Sequence, residues 1–161
     1  VDKPSGLKYL GFGFYFDSRA HQYKAKPHAK SVAKFKRRMK ELTRRSWGVS
    51  NSYKVAKLNQ LIRGWINYFK IGSMKTLCKQ LDANNRYRLR MCIWKHWKNP
   101  KTRYRNLIKL GVSKKNAKSA AGFHGYARVC RTETICYAMS NARLKKFGLL
   151  SAEEYFCQTR C

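Results

Sequence analysis

Seven carboxylates are all the acidic side chains that this 161-residue chain offers for acid–base or metal chemistry. Asp2, Asp17, Glu41, Asp82, Glu133, Glu153 and Glu154 are scattered, whereas a two-metal polymerase or nuclease site needs them clustered. His21, His28, His96 and His124 stand at no recognisable spacing from a nucleophile. No G-x-x-x-x-G-K-[ST] phosphate loop occurs, and Gly11-Phe-Gly13 lacks the third glycine and following helix of a dinucleotide fingerprint. The six cysteines, at 78, 92, 130, 136, 157 and 161, are irregularly spaced with no C-x-x-C, which reads as reduced thiols in a reducing compartment. Cys157 and Cys161 with His124 come nearest to a zinc set, yet a structural site wants four ligands in tighter pairs. The expectation is a chain with no catalytic residue and no metal of its own.

What these residues can do is hold phosphate. Against the seven acids stand 37 Lys and Arg, a formal net charge of +30. Self-repulsion of that size destabilises a compact state unless a polyanion relieves it, and phosphate backbones are the commonest polyanion. Ordinary solvated surfaces mix both signs. A membrane is disfavoured as partner, because no apolar run approaches the ~20 residues of a spanning helix and no signal-peptide pattern opens the chain. A cytoplasmic protein is therefore expected.

The elements that must position these cations are mainly helical. Leu58 to Ser73 (LNQLIRGWINYFKIGS), with Val55 before it, places Leu58, Leu61, Ile62, Trp65, Ile66, Tyr68 and Phe69 on one broad arc and Gln60, Arg63, Asn67 and Lys70 opposite. Leu58, Ile62, Trp65 and Phe69 are the predicted core, Ser52 the N-cap and Gly72 a left-handed C-terminal glycine. Gly64 costs roughly 1 kcal/mol inside a helix, which implies close approach of another backbone. Upstream, Leu7 to Phe16 alternates like a strand and pairs with Tyr23 to Lys26 as a β-hairpin. Pro27 is expected to open a helix to about Arg45, with Ala29, Val32, Phe35, Met39 and Leu42 on one face. Its other face carries Lys30, Lys34, Arg37, Arg44 and Arg45, with Arg38 at the edge, a stripe that can track a phosphate backbone.

Downstream, Leu77 to Leu81 reads as a short turn broken by Asn84-Asn85, followed by a helix over Arg86 to Lys98 that Pro100 stops. That helix interleaves Arg86, Arg88, Arg90, Lys95 and Lys98 with aromatics. The pattern suits either base stacking or a helix packed inside the bundle with snorkelling cations, and the packed helix is the favoured reading. Lys101 to Leu110 with Arg103 and Arg105, and Lys114 to Ala121 with Lys114 and Lys115, are short basic helices ended by Gly111 and Gly122. Phe123 to Arg131 reads as loop or short strand, Thr134 to Lys146 as one helix, and Ser151-Ala-Glu-Glu154 as the start of a last turn. The fold class is thus a mainly α helical bundle preceded by a short N-terminal β-hairpin.

LNQLIRGWINYFKIGS (58 to 73), the preceding KSVAKFKRRMKELTRR (30 to 45) and the following WKHWKNPKTRYRNLIKLGVSKKNAKSAA (94 to 121) resemble the maturase-specific X, or thumb, region of group II intron reverse transcriptases. LKYLGFGFYF (7 to 16) resembles the last palm strand pair of such enzymes. AMSNARLKKFGLLSAEEYF (138 to 156) is similar to the C-termini of short bacterial members. In place of the Gly-Trp-Trp-Arg type sequence common near the end of that region stands Gly125-Tyr-Ala-Arg128.

The resemblance implies a partition into the end of a palm (1–26), a thumb/X bundle (27–98) and a basic helical extension (99–161). The parent would be an RNA-directed DNA polymerase of the bacterial cytoplasm that helps its own intron splice and copies it. Its Tyr-x-Asp-Asp loop and Mg2+ would lie in fingers and palm segments from which this stretch is cut, and no HNH endonuclease is expected to follow. The thumb would bind structured intron RNA and grip a template–primer duplex, with Arg37, Arg38, Arg44, Arg63 and Lys70 as candidate backbone contacts and a homodimer as one possible assembly. Such contacts position a duplex and carry little base specificity. The alternatives are a stand-alone basic RNA chaperone or ribosomal-type protein, and a zinc nuclease fragment using the terminal cysteines.

Overall fold

A computed structural model describes residues 6–160. Among them the chain forms β1 (Lys8–Tyr9), β2 (Phe12–Asp17) and β3 (Gln22–Pro27), then α1 (Ala29–Leu42), α2 (Asn51–Phe69), α3 (Lys75–His96), α4 (Pro100–Lys109), α5 (Lys114–Ala121), α6 (Tyr126–Val129), α7 (Glu133–Ala138), α8 (Asn141–Lys146) and α9 (Ala152–Thr159). This is the expected mainly α chain behind a short antiparallel sheet. It divides into two compact units that interleave in sequence. Among the described residues, one comprises 6–42, 57–82 and 150–160; the other comprises 43–56 and 83–149.

In the first unit the strands run in the order β1-β2-β3, with Tyr9 opposite Phe12 and Asp17 opposite Gln22. The single strand expected over Leu7 to Phe16 is two, because Leu10 and Gly11 take φ of 46° and 83°, as a two-residue I′-type hairpin turn requires. The Gly11 carbonyl accepts from Ser31 Oγ (2.8 Å) and His28 N (2.9 Å), and the Leu10 carbonyl accepts from the Tyr68 hydroxyl. Tyr68, expected inside, is therefore 55% exposed, stacked on Phe12 with its hydroxyl on that turn. Pro27 closes β3 instead of opening α1. The helix starts two residues later, where His28 Nδ1 accepts from Lys30 N, and it ends at Leu42, short of Arg45.

Phe35, Met39 and Leu42 of α1 are buried, as are Leu58, Ile62, Ile66 and Phe69 of α2. Trp65 is half-buried between Phe35 (5.0 Å) and Phe69 (4.9 Å). The cap of α2 is Ser50, whose Oγ accepts from Tyr53 N, not Ser52. Gly72 does not take a left-handed turn; a Cβ there would lie 3.3 Å from the Ala25 and Phe69 carbonyls, so its smallness admits a close backbone approach. Gly64, where such an approach was expected, faces open space.

Helix α3 runs unbroken through Asn84-Asn85, because Cys78, Leu81, Asp82, Asn85, Leu89 and Cys92 recur at helical spacing as one continuous buried stripe. In the second unit α4 is capped by Asn99 with Pro100 in its first turn, and α5 by Ser113. Ala117, Ala120 and Ala121 form the buried face of α5. Phe123 to Arg131 holds the short helix α6, entered through Gly125 at φ 109°. The helix expected over Thr134 to Lys146 is two. Met139 leaves helical geometry at φ −114°, ψ 61°, Ser140 caps α8, and the carbonyls freed by the break accept from arginines, Ala138 from Arg143 and Met139 from Arg90.

Candidate nucleic-acid interface

Charge is divided unequally between the two units. The unit of residues 43–56 and 83–149 holds twenty Lys and Arg and a single acid, Glu133. The described residues of the other hold sixteen cations and five acids and include the ion pairs Lys24–Asp17, Arg38–Glu41 and Lys79–Glu153. Lys24 Nζ lies 2.6 Å from Asp17 Oδ2, and that bond lowers the carboxyl from its usual 3.8 and raises the amine from 10.5.

The sequence-predicted cations fall into three settings. Lys30, Lys34, Arg37 and Arg38 on α1, and Arg63 and Lys70 at α2, are exposed in the first unit. Arg38 spends part of its charge on Glu41 at 2.8 Å. In the second unit Arg44, Lys95, Lys98, Arg105, Lys114 and Lys115 are exposed and Arg45, Arg86, Arg88 and Arg103 are half-buried. Arg90 departs from the surface role expected of it. It is buried, and its guanidinium donates to the Met139 carbonyl (3.0 Å) and Asn141 Oδ1 (3.2 Å). Trp94 is 1% exposed, so the helix over 86–98 is packed inside its unit, as favoured, with Arg103 lying 4.9 Å over the Trp94 ring.

Within the second unit the fold gathers a group that sequence spacing does not reveal. The Arg45 guanidinium lies 3.2 Å over the Tyr126 ring, and the Arg131 guanidinium 4.7 Å over the Tyr87 ring. The two stacks are tied together, since the Tyr87 hydroxyl donates to the Ala127 carbonyl beside Tyr126. Arg88, next to Tyr87 on α3, donates to Thr43 Oγ1 and to the Thr43 carbonyl, which the Cys92 thiol also reaches. Burial holds the Arg88 pKa below the usual arginine range, and the neighbouring Arg45 charge pushes the same way. Three guanidiniums and two tyrosine rings are thus held together, and neither Arg45 nor Arg131 has a carboxylate partner among the described residues. Tyr126 is 40% exposed, so its stack with Arg45 reaches solvent. Such a surface can accept phosphates on its guanidinium edges and bases on its rings. Arg131, Tyr87 and Tyr126 were missed as site residues; the one sequence signal was the departure at Gly125-Tyr-Ala-Arg128.

Lys54 is 1% exposed, its ammonium donating 2.9 Å to the Arg44 carbonyl, which fixes the chain leading to Arg45. Among the described residues no group of three His, Cys, Asp or Glu could hold a metal ion. Cys161 of the zinc reading lies outside the described residues. Cys78, Cys92 and Cys130 are buried, and burial pushes the thiols of Cys78 and Cys130 up to about 12. No described helix is long and apolar enough to cross a membrane.

Residues 32–111 match a family model described as Group II intron, maturase-specific domain. No curated protein matches the chain.

Proposed function

We propose that the chain, whose residues 32–111 match the maturase-specific domain of group II introns, serves intron splicing by binding structured intron RNA through the arginine–tyrosine surface of its second unit. The observation that carries this reading is the charge of that unit, twenty cations to one acid, focused where Arg45, Arg88 and Arg131 meet Tyr87 and Tyr126. Repulsion among them is relieved by a polyanion. Planar guanidiniums already seated on rings lose little freedom when they bind phosphate edge-on.

The same reading makes the exposed α1 cations Lys30, Lys34 and Arg37 backbone contacts that set register without reading sequence. It takes residues 27–98 as a thumb that also grips a template–primer duplex, 1–26 as the end of a palm and 99–161 as a basic extension, within an RNA-directed DNA polymerase of the bacterial cytoplasm. Its support is the resemblance of those segments.

Filter binding with an intron RNA tests the proposal. Arg45→Ala and Arg131→Ala are each expected to weaken binding about five- to tenfold, and Arg45→Lys, which keeps the charge but loses the planar stack, by less. Wild-type affinity for all three variants, or equal affinity for intron RNA and an unrelated duplex of the same length, would refute it.

A further inference from the structure

One open recess on the second unit has a wall built for an anion. It measures about 420 Å3 and is lined by Ala83, Arg86 and Arg90 of α3, Cys136 of α7, and Ser140 and Asn141 at the start of α8. That volume falls within the range of small-ligand pockets, roughly 300–1,000 Å3. Arg86 and Arg90 stand one helical turn apart, so their side chains share a face. Arg90 is 9% exposed, and its bonds to the Met139 carbonyl and Asn141 Oδ1 fix the plane of its fork. The Arg86 side chain makes no hydrogen bond or ion pair among the described residues. Ser140 Oγ accepts from Arg143 N, which leaves its own proton to donate. Asn141 gives its oxygen to Arg90, which leaves its amide N–H groups.

The lining therefore offers two guanidiniums, a hydroxyl and an amide as donors, and none of its side chains is a carboxylate. Forked donors in this number match a phosphate, with bidentate geometry available from either arginine. Ala83 and Cys136 add an apolar stretch, and the volume exceeds what one phosphate group fills.

We propose that this recess is a nucleotide pocket, which receives a single nucleotide turned out of the bound RNA with its phosphate between Arg86 and Arg90. The proposal rests on the RNA-binding reading above, but it concerns a different set of side chains from the Arg45–Tyr126 and Arg131–Tyr87 stacks. An RNA with an unpaired, extrudable nucleotide would fill it. A continuous duplex, whose bases stay stacked, would not.

Cys136 in the recess wall reports on occupancy, and exposed Cys157, outside the lining, serves as reference. Alkylation by iodoacetamide would be followed residue by residue by peptide mass spectrometry on the full chain, with inorganic phosphate, adenosine monophosphate, a bulged RNA hairpin or a fully paired RNA duplex. Adenosine monophosphate and the bulged hairpin are expected to slow Cys136 alkylation at least about fivefold, phosphate less, and the duplex not at all, with Cys157 unchanged. Arg86→Gln, a change at a half-buried side chain that holds no partner, should abolish the protection while leaving the circular dichroism and melting temperature at wild-type values. If the hairpin binds by gel shift but neither it nor the nucleotide protects Cys136, the pocket is overturned and the RNA-binding reading stands. Equal protection by duplex and hairpin, or protection that survives Arg86→Gln, would also overturn it. Protection by adenosine monophosphate in a chain that binds no RNA would overturn the proposal together with the RNA-binding reading, because no bound RNA would be there to supply the nucleotide.

Discussion

Replacing Asp82 should unseat α9. The Asp82 carboxylate is 3% exposed and accepts three bonds from the start of that helix: Ser151 Oγ on Oδ2 (2.7 Å), Ala152 N on Oδ1 (2.7 Å) and Glu153 N on Oδ2 (3.1 Å). Helix α9 docks in the first unit through Ala152 and Phe156, at 1% and 2% exposure, so the cap holds apolar area as well as backbone donors. Hydrogen bonds to a charged acceptor contribute about 1.5–3 kcal/mol each, and bonds that share one carboxylate are not additive. Water can replace the bonds to Ser151 and Glu153, which are less buried. The Ala152 N–H is left buried and unsatisfied at about 1–3 kcal/mol, offset by about 0.5 kcal/mol from alanine's better helix propensity within α3. Asp82→Ala should therefore cost about 3 kcal/mol, a fall in melting temperature of roughly 6–12 °C for a chain of this size. Asp82→Asn should cost about half as much, because one oxygen still accepts while the new amide faces a donor. Urea unfolding measures both losses, and hydrogen exchange should quicken first in residues 152–159. A loss below about 1 kcal/mol for Asp82→Ala, or unchanged exchange in α9, would refute this reasoning.

Gly125 holds φ 109° and leads into Tyr126. Gly125→Ala should cost about 1–2 kcal/mol by thermal melting and, by shifting the ring under Arg45, weaken RNA binding several-fold in the same filter assay. The Cys78 and Cys130 thiols are raised from 9.0 to about 12, so at pH 8 iodoacetamide should label Cys157 and spare both until urea unfolds the chain, as peptide mass spectrometry would show. These raised values also set a sign. The folded state keeps protons that the unfolded chain loses above pH 9, so the stabilisation is complete below about pH 9 and should drain away between pH 9 and 12 in urea melts, less steeply when Cys130 is replaced by alanine.

Elements whose signals are local were legible in the sequence. Ser113 and Ser151 sit beside the helices they cap, and the 3.6-residue periodicity of α1 and α2 named most of their buried residues. Elements decided by distant partners were not. Asn84-Asn85 reads as a breaker locally, yet Asn85 lies on a stripe buried from Cys78 to Cys92, and that burial overrides propensity. The break at Met139–Ser140 is sustained by Arg90, whose guanidinium takes the freed carbonyl from far along the chain. Asp82 looked like one of several scattered acids and is the anchor of the last helix. The same holds for the interface. Exposed cations can be counted from composition, but the pairing of Arg45 with Tyr126 and of Arg131 with Tyr87 depends on the path of the fold.

The salt dependence of RNA affinity tests the central claim most directly. If the second unit's cations engage a phosphate backbone, the logarithm of the association constant should fall with the logarithm of salt at a slope of about −4 or steeper, as five or more displaced counterions require. Arg45→Ala should flatten that slope by about 1. A wild-type slope near zero, or one that Arg45→Ala leaves unchanged, would contradict the account.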